Sequence, residues 1–404
     1  MKLTHPHDAL KMTLSLARPL TATRVSLDRA AGLCLALPVR ADRDQPPTDR
    51  SAVDGYALRA ADTRDSSQML RLEGESAAGK PCENRVAPGT CIRILTGAVV
   101  PGGADAVIML EHTQMRDGKV RCLREVAPAA NIRRRGEEAA KGAVILPPGA
   151  LLSGAQIGIC ASVGKALVTV RPRPRVAVLS TGSELKEAAD RVRAHQTRDA
   201  NGPALCAVLE LAGFPAARRG IVGDDVRQLR ETIRSAARDC DVILLSGGVS
   251  VGSYDFVPEA IRSLRGRIRF HGVSMKPGKP VLYATLGRKH IFGLPGNPIG
   301  ALVMLHLFVK PALRRLAGWP PQWCRPVLHV ALEEAFKIKG PRVEYRLACL
   351  SMTKGGPRAR LLKSAGSADL PAACQADGVV ELDPRSGDWV RRDSVPFISW
   401  RPIW

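Results

Sequence analysis

The chain has 404 residues, of which 45% are hydrophobic and 24% charged, and its mean hydropathy is −0.05. This length provides for about two to four domains with cores of their own, which excludes a single small binding module, and the balanced hydropathy excludes a membrane-embedded or disordered chain. Lys and Arg number 60 and Asp and Glu 38, a net charge of +22, so we expect a surface that attracts anions.

The ten cysteines and the first residues of the chain indicate the compartment. The cysteines are scattered, with no C-x-x-C pair and no Cys/His cluster at zinc-site spacing, which favours reduced thiols. The N-terminal stretch lacks the apolar run of a secretory signal because polar residues such as Asp8 and Lys11 interrupt it. The longest uncharged stretch, 147–164, contains prolines and glycines and is no spanning helix. We therefore predict a cytoplasmic protein without a membrane span.

The first half of the chain mixes helical and strand-like patterns. Apolar residues near helical spacing predict a helix over 7–20, whereas residues 44–140 are short β-like runs, such as 91–97 and 104–110, between prolines and glycines. A stretch rich in Gly and Pro follows at 142–156. These patterns indicate a β or mixed lobe of moderate size, followed by a linker.

The second half alternates buried strands with helices and then returns to strands. This alternation is typical of a parallel sheet covered on both faces. After Trp319 only short strand-like runs remain, which predict a separate small β domain. The predicted strands are 176–181, 241–246, 281–287 and 290–294, the predicted helices are 203–213, 258–264 and 299–318, and the last strands are 327–336, 343–352 and 377–384.

Three Gly-rich turns follow predicted strands of the α/β part, at 179–184, 245–252 and 293–298. In a parallel sheet, ligands bind beyond the carboxyl ends of the strands, where such turns let the backbone come close. Any one of the three turns fits ordinary turn chemistry equally well. Three of them at one sheet edge favour a ligand site.

A basic loop, Met-Lys-Pro-Gly-Lys-Pro, lies between the second and third turns. Lys279 is followed by Pro rather than Ser or Thr, so this is no Walker A loop, but Lys276 and Lys279 can hold an oxyanion as point charges. A solvated basic loop is the alternative.

Carboxylates accompany these basic turns. Asp54, Glu184, Asp224 and Asp255 are the candidates. An acidic group beside a phosphate-type ligand costs electrostatic energy unless it binds a cation, and Mg²⁺ held by one or two carboxylates and substrate oxygens is the usual solution. For Asp224 and Asp255 the alternative is helix N-capping.

Two rival functions are open from the residues. Residues 248–252 fit G-x-S-x-G, so Ser250 is a candidate hydrolase nucleophile with His271 or His290, although no HGGG-type oxyanion segment precedes it. The net charge alone suggests nucleic acid, but no specific nucleic-acid partner is predicted, because no reader motif is present and aromatic residues are only 4%.

Seven motifs in order resemble the molybdopterin molybdenumtransferase family, the MoeA proteins, which also includes the E domain of gephyrin. The resemblance covers nearly the whole chain. The motifs are PPTDRSAVDGYAL, IRILTGAVVPGGADAVIMLEHT, NIRRRGEEAAKGAVI, VAVLSTGSEL, DVILLSGGVSVGSYD, MKPGKPV and GLPGNP.

The resemblance implies a multidomain α/β plus β fold. Its parts are an elongated N-terminal linker and dimerisation domain of helix and strands (1–25, 45–55 and 141–170), an inserted β lobe (26–44 and 56–140), a central MogA-like, molybdopterin-binding α/β domain with a mostly parallel sheet (171–318), and a small C-terminal β-barrel (319–404). Members of the family are homodimers whose active site lies between the α/β domain of one subunit and the inserted lobe of the other.

The resemblance also implies the reaction and the roles of residues. Molybdate is inserted into adenylylated molybdopterin with Mg²⁺-dependent release of AMP, and docking with the molybdopterin adenylyltransferase is a further implied partnership. The catalytic positions are Asp54, Glu184, Asp224, Asp255, Lys276 and Lys279, with Asp224 and Asp255 for Mg²⁺. The implied substrate-binding positions are Thr96, Glu138, Ser180, Thr181, Gly182, Asn201, Ser246, Gly247, Gly248, Ser250, Pro295, Asn297, Pro298, Arg346 and Ser367.

Two residues depart from the family pattern. Glu138 stands where the family usually has Asp, and Gly300 stands where a Ser is usual, which removes a hydroxyl from the expected oxyanion pocket. Arg133, Arg134 and Arg135 fit either this site or a solvated basic turn. The departures leave a non-catalytic or shifted-activity dimeric scaffold on the same fold as the alternative function.

Overall fold

The N-terminal part combines two helices with small sheets drawn from distant segments. The computed structural model describes residues 3–249, 256–338 and 340–401. Helix α1 (Pro6–Leu16) starts at a proline, whose fixed φ suits the first helical turn, and helix α2 (Gly154–Ser162) starts at a capping box formed by Ser153 and Gln156. The strands here are Thr23–Ser26, Cys34–Leu35 and Leu167–Arg171 in one sheet and Val39–Arg40 paired with Val144–Leu146.

These pairings change one predicted boundary. Residues 26–44 were assigned to the inserted lobe, but Leu35 and Val39 pack in one buried cluster with Leu152 and Val170 of the N-terminal part. Leu35 and Val39 are buried there and not in the lobe, which is why the segment lies with the linker. The other domain bounds stay predictions.

The inserted lobe is a six-stranded sheet with its own core of Tyr56, Leu70, Ile108 and Val120. Gly55 is required where two strands touch, because a Cβ there would lie 1.9 Å from the Ile108 carbonyl oxygen. In sheet order the strands are Ala106–Met109, Gly55–Leu58, Thr90–Ile94, Met69–Ser76, Lys119–Cys122 and Thr113–Arg116, and a separate pair joins Arg50–Ser51 to Ile132–Arg133.

The central part is a six-stranded sheet with helices on both faces. Its strands are β1 (Val176–Thr181), β2 (Ala216–Val222), β3 (Val242–Ser246), β4 (Arg267–His271), β6 (Leu282–Leu286) and β7 (Lys289–Leu294), with β5 (Met275–Lys276) outside the sheet. The order is β2-β1-β3-β7-β6-β4. The first four strands in this order, β2, β1, β3 and β7, are parallel, whereas β6 is antiparallel to both of its neighbours, β7 and β4. The predicted mostly parallel sheet is confirmed, and β6 and β7 form a hairpin because two residues are too few for a parallel crossover.

The helices of this part are α3 (Asn201–Leu211), α4 (Val226–Asp239) and α5 (Phe256–Ser263), followed by a long helical segment. A single helix was predicted over 299–318. The structure instead has α6 (Pro298–Met304), a π-helical turn (Leu305–Val309) and α7 (Lys310–Leu316). Pro311 lies just beyond the π turn, where its missing N–H and its ring disturb the regular hydrogen bonding.

The C-terminal part is a closed five-stranded barrel. Its strands are β8 (Leu328–Leu332), β9 (Val343–Thr353), β10 (Gly356–Leu361), β11 (Gly378–Leu382) and β12 (Ser394–Ser399), with the short helices α8 (Pro321–Cys324) and α9 (Leu370–Gln375). The order β9-β10-β8-β12-β11 closes through the pairing of β9 with β11. The predicted small barrel is thus confirmed.

The barrel and the α/β part are joined by strand pairing and by a shared core. Strand β5 pairs in parallel with the start of β9, placing Lys276 opposite Glu344. Tyr345 and Ile398 of the barrel belong to the same buried cluster as Tyr283 and Phe308 of the α/β part. No helix within the described ranges has the length and apolarity needed to cross a lipid bilayer.

Candidate functional site

The three Gly-rich turns meet at the carboxyl edge of the central sheet. In the parallel register Ser180 lies opposite Ser246, and Ser246 lies opposite Leu294, so β1, β3 and β7 end side by side. The turn after β3 passes close to β1: a Cβ on Gly247, at φ +98°, would lie 2.3 Å from the Thr181 carbonyl oxygen. Only a glycine at position 247 therefore lets the second turn pass this close to β1.

A buried polar network holds this edge in place. Ser180 is 1% exposed, and its hydroxyl donates to Asp199 at 2.7 Å. Asp199, itself 4% exposed, also accepts from the Gly202 N–H at 2.9 Å and from Arg218 at 2.7 Å. Burial alone would raise the pKa of Asp199, but these hydrogen bonds hold it below its usual value.

This network includes two of the predicted substrate-binding residues and adds one that was missed. The hydroxyls of Ser180 and Thr181 are buried and bonded within the protein, where they hold the sheet edge, and their contact with a substrate stays a prediction. Asp199 was not predicted, although an Asp just before a helix that starts Asn-Gly is a recognisable capping pattern.

Asn201 ties the second turn to the third. Its amide nitrogen donates to the Ser246 hydroxyl at 2.8 Å and to the Gly296 carbonyl at 2.7 Å. The predicted substrate-binding positions Asn201, Ser246 and Gly247 therefore lie together at one edge, and the Gly248 backbone (φ +64°) continues the same turn.

A cleft of about 350 Å³ lies between this edge and the barrel. The basic loop forms one wall, strand β9 another, and the turn 364–367 the third. Within the described ranges neither Lys276 nor Lys279 makes an ion pair, and both are exposed. The cleft brings together the predicted residues Lys276, Lys279, Pro295, Asn297, Arg346 and Ser367.

Hydrogen bonds across the cleft join its two walls. The Asn297 amide donates to the Ser367 hydroxyl at 2.8 Å, and the Ile299 N–H donates to the Ser367 carbonyl at 3.0 Å. Pro298 starts α6 just behind these contacts. The third turn of the sheet and the predicted turn of the barrel thus form one surface, which we call the anion cleft.

Two charged residues that line the anion cleft, Arg342 and Glu344, were missed by sequence reasoning. Glu344 is 3% exposed, and its carboxylate lies 2.8 Å from the Arg346 guanidinium, which also stacks over the Phe336 ring at 4.7 Å. Residues two apart on a strand share a face, so the pattern Glu-Tyr-Arg was the available signal. Glu344 and Arg346 thus form an ion pair in the wall of the cleft.

Gly300 also lines the anion cleft, as the departure from the family pattern implies. A Cβ at this position would lie 3.2 and 3.3 Å from the Cβ and Cγ of Pro295. A serine fits only if that proline ring moves by a few tenths of an ångström.

Two carboxylates flank the first turn, one on each side. Asp224 accepts a hydrogen bond from the Ser183 N–H at 3.1 Å, and the Glu184 carboxylate lies over Gly182, where a Cβ would be 2.6 Å from both of its oxygens. The capping alternative is excluded for Asp224, because Asp225 caps α4 by accepting from the Gln228 N–H.

These carboxylates suit a hard cation. Both are exposed, and among the described residues neither Glu184 nor Asp224 forms an ion pair. No group of three His, Cys, Asp or Glu side chains in the described ranges has the arrangement of a metal site. One or two protein carboxylates with the remaining ligands from substrate and water is the arrangement that Mg²⁺ prefers. Asp255 and Ser250, also predicted for the site, lie outside the described residues.

The predicted residues of the inserted lobe form a separate group. The Thr96 N–H and hydroxyl donate to Asp54 at 2.6 and 2.7 Å, and these bonds hold the pKa of that carboxyl below its usual value. Thr96 and Glu138 line a second cavity of about 620 Å³ together with Arg50 and Arg133. No hydrogen bond or ion pair between described residues joins Asp54, Thr96 or Glu138 to the three turns.

The Arg triplet beside this cavity is held in ion pairs. Arg133 pairs with Glu138, Arg134 with Asp49 and Arg135 with Asp44, each at 2.6 Å. The triplet therefore fixes its turn against residues 44–49, and only Arg133 lines the cavity.

One of the two histidines proposed for the hydrolase alternative lies far from the Gly-rich turns. His290 pairs with Val242 at the start of β3, the end of the sheet opposite the Gly-rich turns. It is bonded to the Tyr283 hydroxyl at 2.8 Å, and burial lowers its pKa to about 4. The His271 ring lies 3.0 Å from the Val249 carbonyl and is buried, so this bond occupies its Nε2.

Comparison with known proteins agrees with this geometry. Residues 4–164 match a family described as "MoeA N-terminal region (domain I and II)", and residues 177–315 match one described as "Probable molybdopterin binding domain". A protein of Nostoc sp. named "Molybdopterin molybdenumtransferase" is 37% identical over 82% of this chain and 78% of its own length. One of the same name from Staphylococcus epidermidis is 33% identical over 82% and 80%.

The fold has a close counterpart among solved structures. The "molybdopterin biosynthesis moeA protein from Pyrococcus horikoshii OT3" superposes with a TM-score of 0.85 at 30% identity, covering 98% of this chain and 100% of that one. The similarity therefore extends over all four parts of the fold.

Proposed function

Since the chain belongs to the MoeA family of molybdopterin molybdenumtransferases, it is a transferase of molybdenum cofactor biosynthesis, and we propose that its substrates are molybdate and adenylylated molybdopterin. Molybdate is inserted into the dithiolene of the pterin, and AMP is released in a step that depends on Mg²⁺.

The observation that carries this proposal is the anion cleft. Molybdate is a dianion and the pterin substrate carries phosphates, so the two reactants repel each other in the absence of cationic groups. Lys276 and Lys279, which form no ion pair with another described residue, supply those charges at one place, together with Arg346 beside Glu344. Ser367, held by Asn297, adds a hydroxyl donor beside them. Lys279, Arg346 and Ser367 bind the molybdate oxyanion.

Two carboxylates at the first turn support the Mg²⁺ part of this proposal. Glu184 and Asp224 are the described residues that would hold the ion, with Asp255 as the further position that the family resemblance implies. When bound, Mg²⁺ polarises the phosphoanhydride that is to be broken. The Ser183 N–H keeps the Asp224 carboxylate oriented toward the turn.

A second subunit completes the site in this proposal. The inserted lobe carries Asp54, Thr96 and Glu138 as a group apart from the anion cleft of its own chain. This arrangement is expected if the lobe contributes these residues to the cleft of a partner subunit. Exposed apolar side chains on the N-terminal part, among them Leu37 (58% exposed) and Leu167 (51%), provide a surface for dimerisation. Docking of the adenylyltransferase stays a prediction.

The test is AMP release by the purified protein given adenylylated molybdopterin, molybdate and Mg²⁺. A hydrogen bond to a charged group contributes about 1.5 to 3 kcal/mol, so Lys279→Met should lower kcat/KM for molybdate by about 10- to 150-fold. The matched control is Lys354→Met, an exposed lysine in the hairpin turn between β9 and β10, for which turnover should be unchanged.

Two outcomes would count against the proposal. Unchanged turnover of Lys279→Met would remove the anion cleft from the reaction. A folded dimeric wild-type protein that releases no AMP under these conditions would favour the scaffold alternative.

A further inference from the structure

Another pocket lies between helices α3 and α7 and the C-terminal barrel. Its volume is about 630 Å³, within the usual range for small-molecule sites. None of its lining residues lines the anion cleft. We call it the helix–barrel pocket, and its apolar walls include Leu211, Phe214, Trp319, Val327, Phe397 and Trp400.

One face of the helical segment gives this pocket a row of basic groups. His306, Lys310 and Arg314 are spaced four residues apart, which puts them on one side of the helix, and all three line the pocket. His306 lies in the π-helical turn, a local distortion that is frequent at functional sites. No Asp or Glu lines the pocket among the described residues.

Three buried N–H groups on the pocket walls have no acceptor within the described part of the chain. They are Nε2 of His306, Nε of Arg325 and Nε1 of Trp400. His306 is only 4% exposed and stacks on the Trp400 ring at 6.0 Å. The Lys310 ammonium lies 3.5 Å from Nδ1 of His306 and can only donate, so the ring hydrogen of neutral His306 is on Nε2.

The unsatisfied groups are all of one kind. Each is a donor, and leaving a buried donor unpaired costs about 1 to 3 kcal/mol. Arg325 and Arg401 have carboxylate partners, Glu381 and Asp377, whereas Lys310 and Arg314 make no ion pair in the described ranges. Burial lowers the pKa of Lys310 to about 8, as expected for an ammonium without a counter-ion. A ligand that brings acceptors and negative charge would relieve both costs.

We propose that the helix–barrel pocket binds a small aromatic carboxylate. The carboxylate accepts from His306, Trp400 and Lys310, and the aromatic body packs between the indole rings and the apolar walls. The apolar character of those walls favours a flat organic monoanion over inorganic phosphate. This site is independent of the proposed transferase reaction.

The test is a calorimetric titration of the full-length protein with 2-naphthoate, compared with the neutral 2-naphthylmethanol and with inorganic phosphate. Saturable binding of one naphthoate per chain is expected, with binding of the alcohol and phosphate weaker by about tenfold or more. Lys310→Met should weaken naphthoate binding by about tenfold or more. Arg315→Met, which removes a charge from the neighbouring position outside the pocket lining, should leave it unchanged.

A second variant separates loss of the site from loss of the fold. Trp400→Phe keeps a ring and removes the N–H that has no acceptor among the described residues, so it should weaken naphthoate binding by about fivefold or more while the circular dichroism spectrum stays that of the wild type. The proposal is overturned if wild-type protein shows no saturable binding, if the alcohol or phosphate binds as tightly as naphthoate, or if folded Lys310→Met and Trp400→Phe bind it normally.

Discussion

Asp199→Asn tests whether the buried network below the Gly-rich turns is held together by charge. The substitution keeps the volume, so no cavity is created. One oxygen remains for the Gly202 N–H, and the Ser180 hydroxyl can rotate to accept from the new amide. Arg218 cannot accept, so its bond to Asp199 is lost while its 2.7 Å bond to Glu187 remains.

The free energy of unfolding that Asp199→Asn removes follows from these partners. Breaking a buried ion pair from one side costs about 3 to 5 kcal/mol, and the surviving Glu187 contact reduces this to about 2 to 4 kcal/mol. Hydrogen exchange of the α3 amides reports this local stability, and their exchange should accelerate by about 30- to 900-fold. The pKa of Asp199 is held down, so its contribution is present above about pH 4 and is lost as pH falls through the folded-state pKa.

The matched control is Asp117→Asn, which also replaces a carboxylate by an amide. The Asp117 side chain is 91% exposed and lies 3.6 Å from the Arg116 guanidinium. Its effect on stability should stay below about 0.5 kcal/mol. Equal α3 protection in Asp199→Asn and the wild type would refute the argument that this network holds the edge.

Two further predictions concern the anion cleft and the N-terminal helix. Gly300→Ser should lower KM for molybdate by about tenfold, as measured by steady-state kinetics, because the Pro295 ring shifts to admit the hydroxyl. A higher KM would mean that the ring cannot move. The hydrogen bond that Nε2 of His7 donates to the Glu381 carboxylate raises the pKa of His7, so the stabilisation by this pair is full below about pH 6.5 and is lost as pH rises through the raised pKa. Melting temperatures of the wild type and His7→Gln should therefore converge from pH 6 to pH 9, and a constant difference would contradict this.

Much of the fold was predictable because its signals are local. The strands 176–181 and 241–246 are continuous apolar runs followed by glycine turns, and such runs specify buried parallel strands whatever lies around them. The π turn was not predictable in the same way. Its residues, Leu305–Val309, are as apolar as a regular buried helix, and the distortion arises from the proline that follows and from packing.

The candidate site was predictable where chemistry is carried by sequence motifs and not where it depends on burial. Lys276, Lys279 and Asn297 occur in motifs and lie together in the anion cleft. Glu344 was missed because the pattern Glu-Tyr-Arg places it on one face with Arg346 but does not show that this face is buried. The bond of the Ser180 hydroxyl to Asp199 was not predictable for the same reason, since only the structure shows that the two side chains are buried together.

The pairing of β5 with β9 has a consequence for how such an enzyme can be divided. Lys276 lies in backbone register with Glu344, so one lysine of the cleft is a strand neighbour of the barrel. A shortened protein that ends after the α/β part would keep the Gly-rich turns and the carboxylates of Glu184 and Asp224. It would lose the barrel residues that form the cleft wall facing Lys276 and Lys279. Replacing the barrel by that of a relative would also replace one wall of the anion cleft, so the natural unit for engineering is the last 230 or so residues taken as one piece.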